Sequence, residues 1–383
     1  LATGSTPLDG DASLHAWLRL SLTPGVGNVA ARKLLAAFGP PDGLWTQPVS
    51  ALRQVVSAAQ AQALLTEPDA LAAQWSALQH WLGEAPSRHV LTLADPDYPP
   101  DLLHIPDPPL LLYAQGQLSW LHQGARLAMV GSRNPTAQGA QTARDFAQAL
   151  AAQGVCIVSG LALGVDGAAH EGALVGGGGT VAVVGTGLDR VYPRQHRDLA
   201  HRIASHGVLL SEYPLGTPAQ AANFPKRNRL IAGLSQGTLV VEAALASGSL
   251  ITARCAADMG KEVMAIPGSI HSPQSRGCHS LSRQGAKLVE TVQDVLEELR
   301  VTRHVDPFAE ADPTAEGVRD GVASPGPSDP LLEALGHDPV GLDALQARTG
   351  WPTAALQSRL LELELDGAVA RLPGGLFQRV ICA

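Results

Sequence analysis

Residues 223–235 read Asn-Phe-Pro-Lys-Arg-Asn-Arg-Leu-Ile-Ala-Gly-Leu-Ser, which sets Phe224, Lys226, Arg227 and Arg229 close together with no acid among them. A flat ring beside several cations suits an unpaired nucleic-acid strand. The ring takes the face of a base and the cations follow the phosphates, with stacking worth about 1–3 kcal/mol per base and indifferent to sequence. Taken alone, the same residues also fit a helix N-terminus that happens to be basic.

Several glycine- and serine-bearing segments follow apolar runs and could complete such a surface. They are Gly131-Ser132-Arg133-Asn134, Ser159-Gly160-Leu161-Ala162 with Gly164 and Asp166, Gly185-Thr186-Gly187-Leu188-Asp189, and Ser211-Glu212-Tyr213-Pro214. Small residues let the backbone approach a phosphate, and a following helix N-terminus adds its dipole. Arg133 has the planar fork that pairs bidentately with phosphate. Gly248-Ser249-Leu250 and Gly260-Lys261 are placed to line the same groove, Lys261 as a phosphate contact or as a merely solvated lysine.

None of these segments is a nucleotide fingerprint. Arg190 stands where Gly185-x-Gly187 would need its third glycine, and there is no Gly-Lys-Ser/Thr of a P-loop. That speaks against a nicotinamide dehydrogenase or an NTPase. Asp166 and His170 are one helical turn apart, with Glu171 and Glu242 as further acids, and could do acid–base work. With no nucleophile elbow or metal set beside them, the favoured reading is a helix-capping Asp166 and a packed His170.

Apolar runs interleaved with helical segments position these loops. From residue 126 they are Leu127–Val130, Val155–Val158, Val181–Val184, Val208–Leu210, Leu239–Val241 and Val263–Ile266, with helices such as Ala137–Gln153 and Ala168–Leu174 between them. Continuous apolar strands of this kind imply a parallel sheet covered on both faces, so a doubly wound, Rossmann-like α/β domain is expected over 126–300. Residues 1–85 read as a small helical domain with helices at His15–Leu18, Ala30–Phe38, Ala51–Leu65 and Leu71–Leu82. Its Gly25-Val26-Gly27 turn resembles those of helix–hairpin–helix modules, though a plain tight turn fits as well. Proline-rich residues 86–125 read as an extended connector. Residues 301–330 read as an acidic flexible linker, and 331–383 as a winged-helix domain with helices at Leu331–Leu335, from Leu342 and at Pro352–Leu365, followed by a hairpin.

Composition narrows the class. With 383 residues, 45% hydrophobic and 16% charged, the chain is mostly globular. Its net charge of −8 argues at first against a nucleic-acid partner. Residues 304–329, however, carry six acids and one Arg319, which leaves only about −3 for the rest. Four scattered cysteines without CxxC imply free thiols in a reducing cytoplasm, and Cys278-His279 lacks the further ligands of a zinc site. No apolar run is of membrane-spanning length, so no membrane association is expected. In the winged unit, Arg359 sits among Glu362, Glu364 and Asp366, a poor charge for a helix entering a major groove; Arg371 and Arg379 on the wing leave DNA or protein contact open.

Taken together, the segments resemble the DprA/Smf family of bacterial DNA-processing proteins. The resemblance runs in order from Gly131-Ser132-Arg133, through Tyr192-Pro193, Ser211-Glu212-Tyr213-Pro214, Phe224-Pro225-Lys226-Arg227-Asn228-Arg229 and Ser247-Gly248-Ser249, to Ile266-Pro267-Gly268. It implies a mediator without catalytic residues or cofactor. Such a protein would bind and protect incoming single-stranded DNA in natural transformation and help load the RecA recombinase in the presence of single-strand-binding protein. It would dimerise through the α/β domain. On that resemblance Gly131, Ser132, Arg133, Lys226, Arg227 and Arg229 hold phosphates and Phe224 supports a base, with Asn228, Gly248, Ser249 and Lys261 completing the surface. The chain departs from the family pattern at His196, where asparagine is frequent, and at Ser282, where an aliphatic is frequent.

Two other readings follow from the same residues. One is a nucleotide-processing enzyme similar to the lysine-decarboxylase-like phosphoribohydrolases, which needs Glu242 and an arginine at a ribose. The other is a transcription regulator acting through the wing, whose DNA binding would be lost on truncation near residue 304.

Overall fold

The structure, a computed structural model, describes residues 7–300, 329–336, 339–372 and 375–379. The front of the chain is helical: α1 (Pro7–Leu22), α2 (Asn28–Phe38), α3 (Val49–Leu52), α4 (Ala58–Leu65) and α5 (Leu71–Glu84). The single helix expected over Ala51–Leu65 is two. The first ends at Leu52, and Ser57 opens the second by accepting from the Gln60 amide, while the Gln60 side chain accepts from the Ser57 amide, a reciprocal cap.

Residues 86–125 are not a connector. They contribute β1 (Arg88–Thr92) and β2 (Leu111–Gly116), with the short α6 (Pro100–Leu103) between them. Pro100 opens α6 and the other prolines lie in loops, while β2 is a buried strand whose Tyr113–Gly116 pair antiparallel with the main sheet. Leu18, Leu34, Leu78 and Trp81 of the front helices share one core with Tyr113 and Leu209 of the sheet. The front and the sheet are therefore packed together and not tethered.

The six expected strands are all present as β3 (Arg126–Val130), β4 (Cys156–Ser159), β5 (Thr180–Val183), β6 (Val208–Ser211), β7 (Gly237–Val240) and β8 (Glu262–Ala265), followed by β9 (Lys287–Leu288). Between and after them run α7 (Ala137–Ala152), α8 (Val165–Gly176), α9 (Arg197–His206), α10 (Asn223–Leu234), α11 (Ser249–Asp258), α12 (Arg276–Arg283) and α13 (Val292–Glu298). Strand order is β1-β2-β6-β5-β4-β3-β7-β8-β9, with β1 and β2 antiparallel and β6 through β9 mutually parallel. Alternation along β3 shows how both faces are covered. Leu127 and Met129 pack with Phe146 and Leu150 of α7, whereas Ala128 and Val130 pack with Leu230 and Ile231 of α10.

The chain runs outward from β3 through β6, then returns to place β7 on the other side of β3. That reversal makes the β3/β7 junction the topological switch point, where doubly wound sheets open a crevice beyond their strand ends.

The expected linker lies outside the described residues except for its end, where Asp329 caps α14 (Pro330–Leu335). Then come β10 (Val340–Gly341), α15 (Leu342–Thr349), α16 (Thr353–Leu365), β11 (Val369–Leu372) and β12 (Leu376–Arg379). They enclose a separate small core of Leu331, Leu345, Leu356, Leu360 and Phe377, with a three-stranded wing.

Candidate nucleic-acid interface

A cleft of about 800 Å³ opens at the switch point. Its lining comes from the loop after β3 (Gly131, Ser132, Arg133, Asn134), the loop after β5 (Tyr192), the first turns of α10 (Phe224, Asn228) and α11 (Ser249, Ile251), and the turn before α11 (Ser247, Gly248). Two helix N-termini thus line one crevice. This supplies backbone donors and positive dipole ends where an anion would sit.

The Gly131–Arg133 loop is held rigidly. The Ser132 amide donates to the Glu242 carbonyl at 2.6 Å, and the Ser132 hydroxyl accepts from the Asn134 amide at 3.1 Å. Below it, the Glu242 carboxylate accepts from the Thr136 amide and hydroxyl, closing the start of α7. A side chain at Gly139 would collide with that carboxylate, so the glycine is what lets Glu242 in. Arg133 is exposed and makes no hydrogen bond or ion pair among the described residues; its guanidinium carbon lies 5.7 Å from the Phe224 ring centroid.

The cations of α10 and Lys261, read from the sequence as phosphate contacts, all have partners within the protein. Arg227 belongs to the cleft lining. Its guanidinium is buried in the cleft floor and donates to the carbonyls of Gly160 (2.7 Å) and Val183, the ends of β4 and β5. Burial lowers its pKa to about 10, opposed by the Asp166 charge nearby. Arg229 faces away from the cleft and forms a two-pronged pair with Glu212, at 2.7 Å for each bond, with Asp107 as a second acid. Lys261 donates to the carbonyls of Ala232 (3.0 Å) and Gly233 (2.5 Å), capping the last turn of α10 in place of lining the groove. Lys226 is half exposed, leans to 3.6 Å from Glu212, and is absent from the cleft lining.

His170 plays the packed role favoured for it, whereas Asp166 does not cap the helix: it lies within the first turn of α8, whose N-cap is Gly164, and turns back to the loop before it. Asp166 accepts from the amides of Gly160 and Ala162. Burial raises its pKa, with Arg227 pulling the other way. Fully buried His170 accepts the Leu161 amide on Nε2 and faces Thr180 Oγ1 at 2.7 Å through Nδ1. Since Thr180 Oγ1 donates to the Ile157 carbonyl, Nδ1 carries the proton and the ring is neutral. Burial holds its pKa down at about 3. His196 Nδ1 donates to the Leu161 carbonyl, 3.0 Å away, from the other side of the same loop.

Of the expected residues, Gly131, Ser132, Arg133, Phe224, Asn228, Gly248 and Ser249 converge on one cleft, with Arg227 beneath them. Asn228 ties α10 to the turn before α11 through the Gly248 carbonyl, 3.2 Å away. Tyr192 also forms part of the cleft wall, and Tyr192-Pro193 of the resemblance is the sequence signal for it. In the winged unit Arg359 is bound to Asp329 at 2.7 Å and to Glu362 at 2.6 Å.

Known proteins resemble this chain over most of its length. The family described as DNA recombination-mediator protein A matches residues 89–300, and the DprA winged helix domain matches 312–375. Protein Smf of Escherichia coli (strain K12) is 45% identical over 77% of this chain and 78% of its own length. Protein Smf of Synechocystis is 34% identical over 95% of this chain and 98% of its own. The solved structure of DNA processing protein A from Streptococcus pneumoniae superposes with a TM-score of 0.62 at 36% identity, covering 75% of this chain and 97% of that one. A structure of DNA processing protein A from Helicobacter pylori, described in terms of its single-stranded DNA binding mode, gives 0.51 at 32% identity over 55% of this chain and 96% of that one.

Proposed function

The chain belongs to the DNA recombination-mediator protein A family, a family of DNA-binding recombination mediators and not of enzymes, and from that premise we propose that its switch-point cleft holds single-stranded DNA. The observation that carries the reading is the convergence of an unengaged Arg133, the Phe224 ring and two helix N-termini on one cleft. A phosphate sits at the Gly131–Arg133 loop, where Arg133 and backbone amides meet it. A base lies on Phe224. Lys226 contributes from the rim, since its exposed pairing with Glu212 is weak enough to exchange for a phosphate at little cost.

In the cell the bound strand is incoming DNA of natural transformation. The protein protects it and helps place the RecA recombinase on it in the presence of single-strand-binding protein, acting in the cytoplasm as a homodimer through the α/β domain. The recombination-mediator description of the family supports this part. Among the described residues no helix is long and apolar enough to cross a membrane. The enzyme reading has lost its key residue, because the Glu242 carboxylate is closed beneath α7 and does not line the cleft.

Fluorescence anisotropy of a labelled oligo-dT and of a matched duplex tests the binding. Tighter binding of the single strand, weakened by Arg133→Ala, is expected. Equal affinity for both, untouched by Arg133→Ala, would refute the cleft as the site.

A further inference from the structure

Tyr192 is half exposed, with 50% of its surface open, at the wall of the cleft. It comes from the loop after β5, whereas Phe224 comes from the first turn of α10, so two elements deliver two rings to one place. The ring centroids are 5.5 Å apart and the planes are inclined at 38°. That separation leaves no room for a base between the rings, but it gives the wall two adjoining aromatic faces. The Tyr192 hydroxyl has no hydrogen-bond partner among the described residues, so packing against Phe224 is what places the ring.

The pair is also braced. An added Cβ at Gly185 would lie 3.1 Å from Phe224, so the Phe224 ring rests against that glycine. Asn223, the neighbour of Phe224, fixes the first turn of α10 by donating to the Gly185 carbonyl at 3.0 Å. A platform that does not have to be ordered on binding loses less entropy to its ligand. Arg133 stands over Phe224, where its charge meets the phosphate of a strand whose base is stacked on the ring.

We propose that Tyr192 is a second stacking residue, and that Tyr192 and Phe224 together seat two neighbouring nucleobases of an extended single strand. The inference rests on the reading that the cleft binds single-stranded DNA, and adds to it a base-dependent contact at a named residue. Paired bases have their faces covered by stacking within the duplex, so the two-ring platform selects unpaired strands without reading sequence.

The test uses the full chain and two labelled oligomers of equal length, oligo-dT and a phosphodiester backbone of abasic sites. Tyr192→Ala should weaken oligo-dT binding about fivefold to a hundredfold, the range expected for one lost stacking contact, and leave abasic binding unchanged. Tyr192→Phe should match the parent protein on both. Unchanged oligo-dT affinity in Tyr192→Ala, or equal weakening on both oligomers, overturns the proposal while leaving the cleft as a single-strand site. Failure of the parent protein to bind either oligomer overturns the cleft reading and this proposal together.

Discussion

Helices α10 and α16 both carry arginine where a nucleic-acid contact was sought, and they use it differently. In α16 the single Arg359 is held by Asp329 and Glu362, and the exposed face that remains offers Leu361 and Leu365. In α10 Arg227 bonds strand-end carbonyls and Arg229 bonds Glu212, while Lys226 is held only by an exposed pairing with Glu212. Yet α10 borders a cleft and α16 does not, because Phe224 and Asn228 look into a crevice made by the sheet topology and met there by an unengaged Arg133. Counting cations along a helix therefore does not locate a phosphate site. What each guanidinium already bonds does.

Arg227 is where the comparison is easiest to break. Arg227→Met should strip the buried Gly160 and Val183 carbonyls of their donor and remove the cation near Asp166, costing about 1–3 kcal/mol of stability for each carbonyl left unpaired, read from urea unfolding. Adding Asp166→Asn should return part of that loss. A variant of full stability that no longer binds DNA would make Arg227 a phosphate contact after all. Arg133→Ala should do the opposite, costing about 1.5–3 kcal/mol of single-strand affinity, the worth of a charged hydrogen bond, with an unchanged melting temperature.

The loop above Arg227 also depends on neutral His170. Its folded pKa, about 3, lies below the ordinary 6.5, so its contribution to stability is complete above pH 6.5 and is lost as pH falls towards 3. Between pH 6.5 and 5 the unfolding free energy should drop with a slope approaching about 1.4 kcal/mol for each step of one in pH. His170→Gln should flatten that slope, and an unaltered slope would place the cause elsewhere.

A smaller effect separates the two views of α10. If only Arg133 and Lys226 meet phosphates, the log–log salt slope for a single strand should be about −1.4 per protomer, at about −0.7 for each contact. Four contacts, including Arg227 and Arg229, would give about −2.8. Arg359→Ala in α16 should leave oligo-dT affinity unchanged in an anisotropy titration. Any loss there would put the winged unit on the DNA.

The sequence made the sheet legible because its strands are buried on both faces and read as unbroken apolar runs such as Leu127–Val130. Residues 86–125 are hard to read because proline marks loops strongly, while β2 is a short run just after Pro106, Pro108 and Pro109. The site was half legible. Gly131, Ser132, Arg133 and Phe224 carry their purpose in residue type. The partners that engage Arg227, Arg229 and Lys261 at Glu212, Gly160, Val183, Ala232 and Gly233 lie between 17 and 67 positions away in the chain, and Asp107 lies farther still from Arg229, so no local pattern could show these pairings. Tyr192 was hidden in the same way, since its relation to Phe224 exists only once α10 is packed on the sheet.

Photocrosslinking of a bromodeoxyuridine-substituted oligo-dT to the full chain, followed by peptide mapping, tests the central claim most directly. The account predicts crosslinks on the peptides that carry Phe224 and Tyr192. Crosslinks confined to residues 339–379, with none at the cleft, would contradict it.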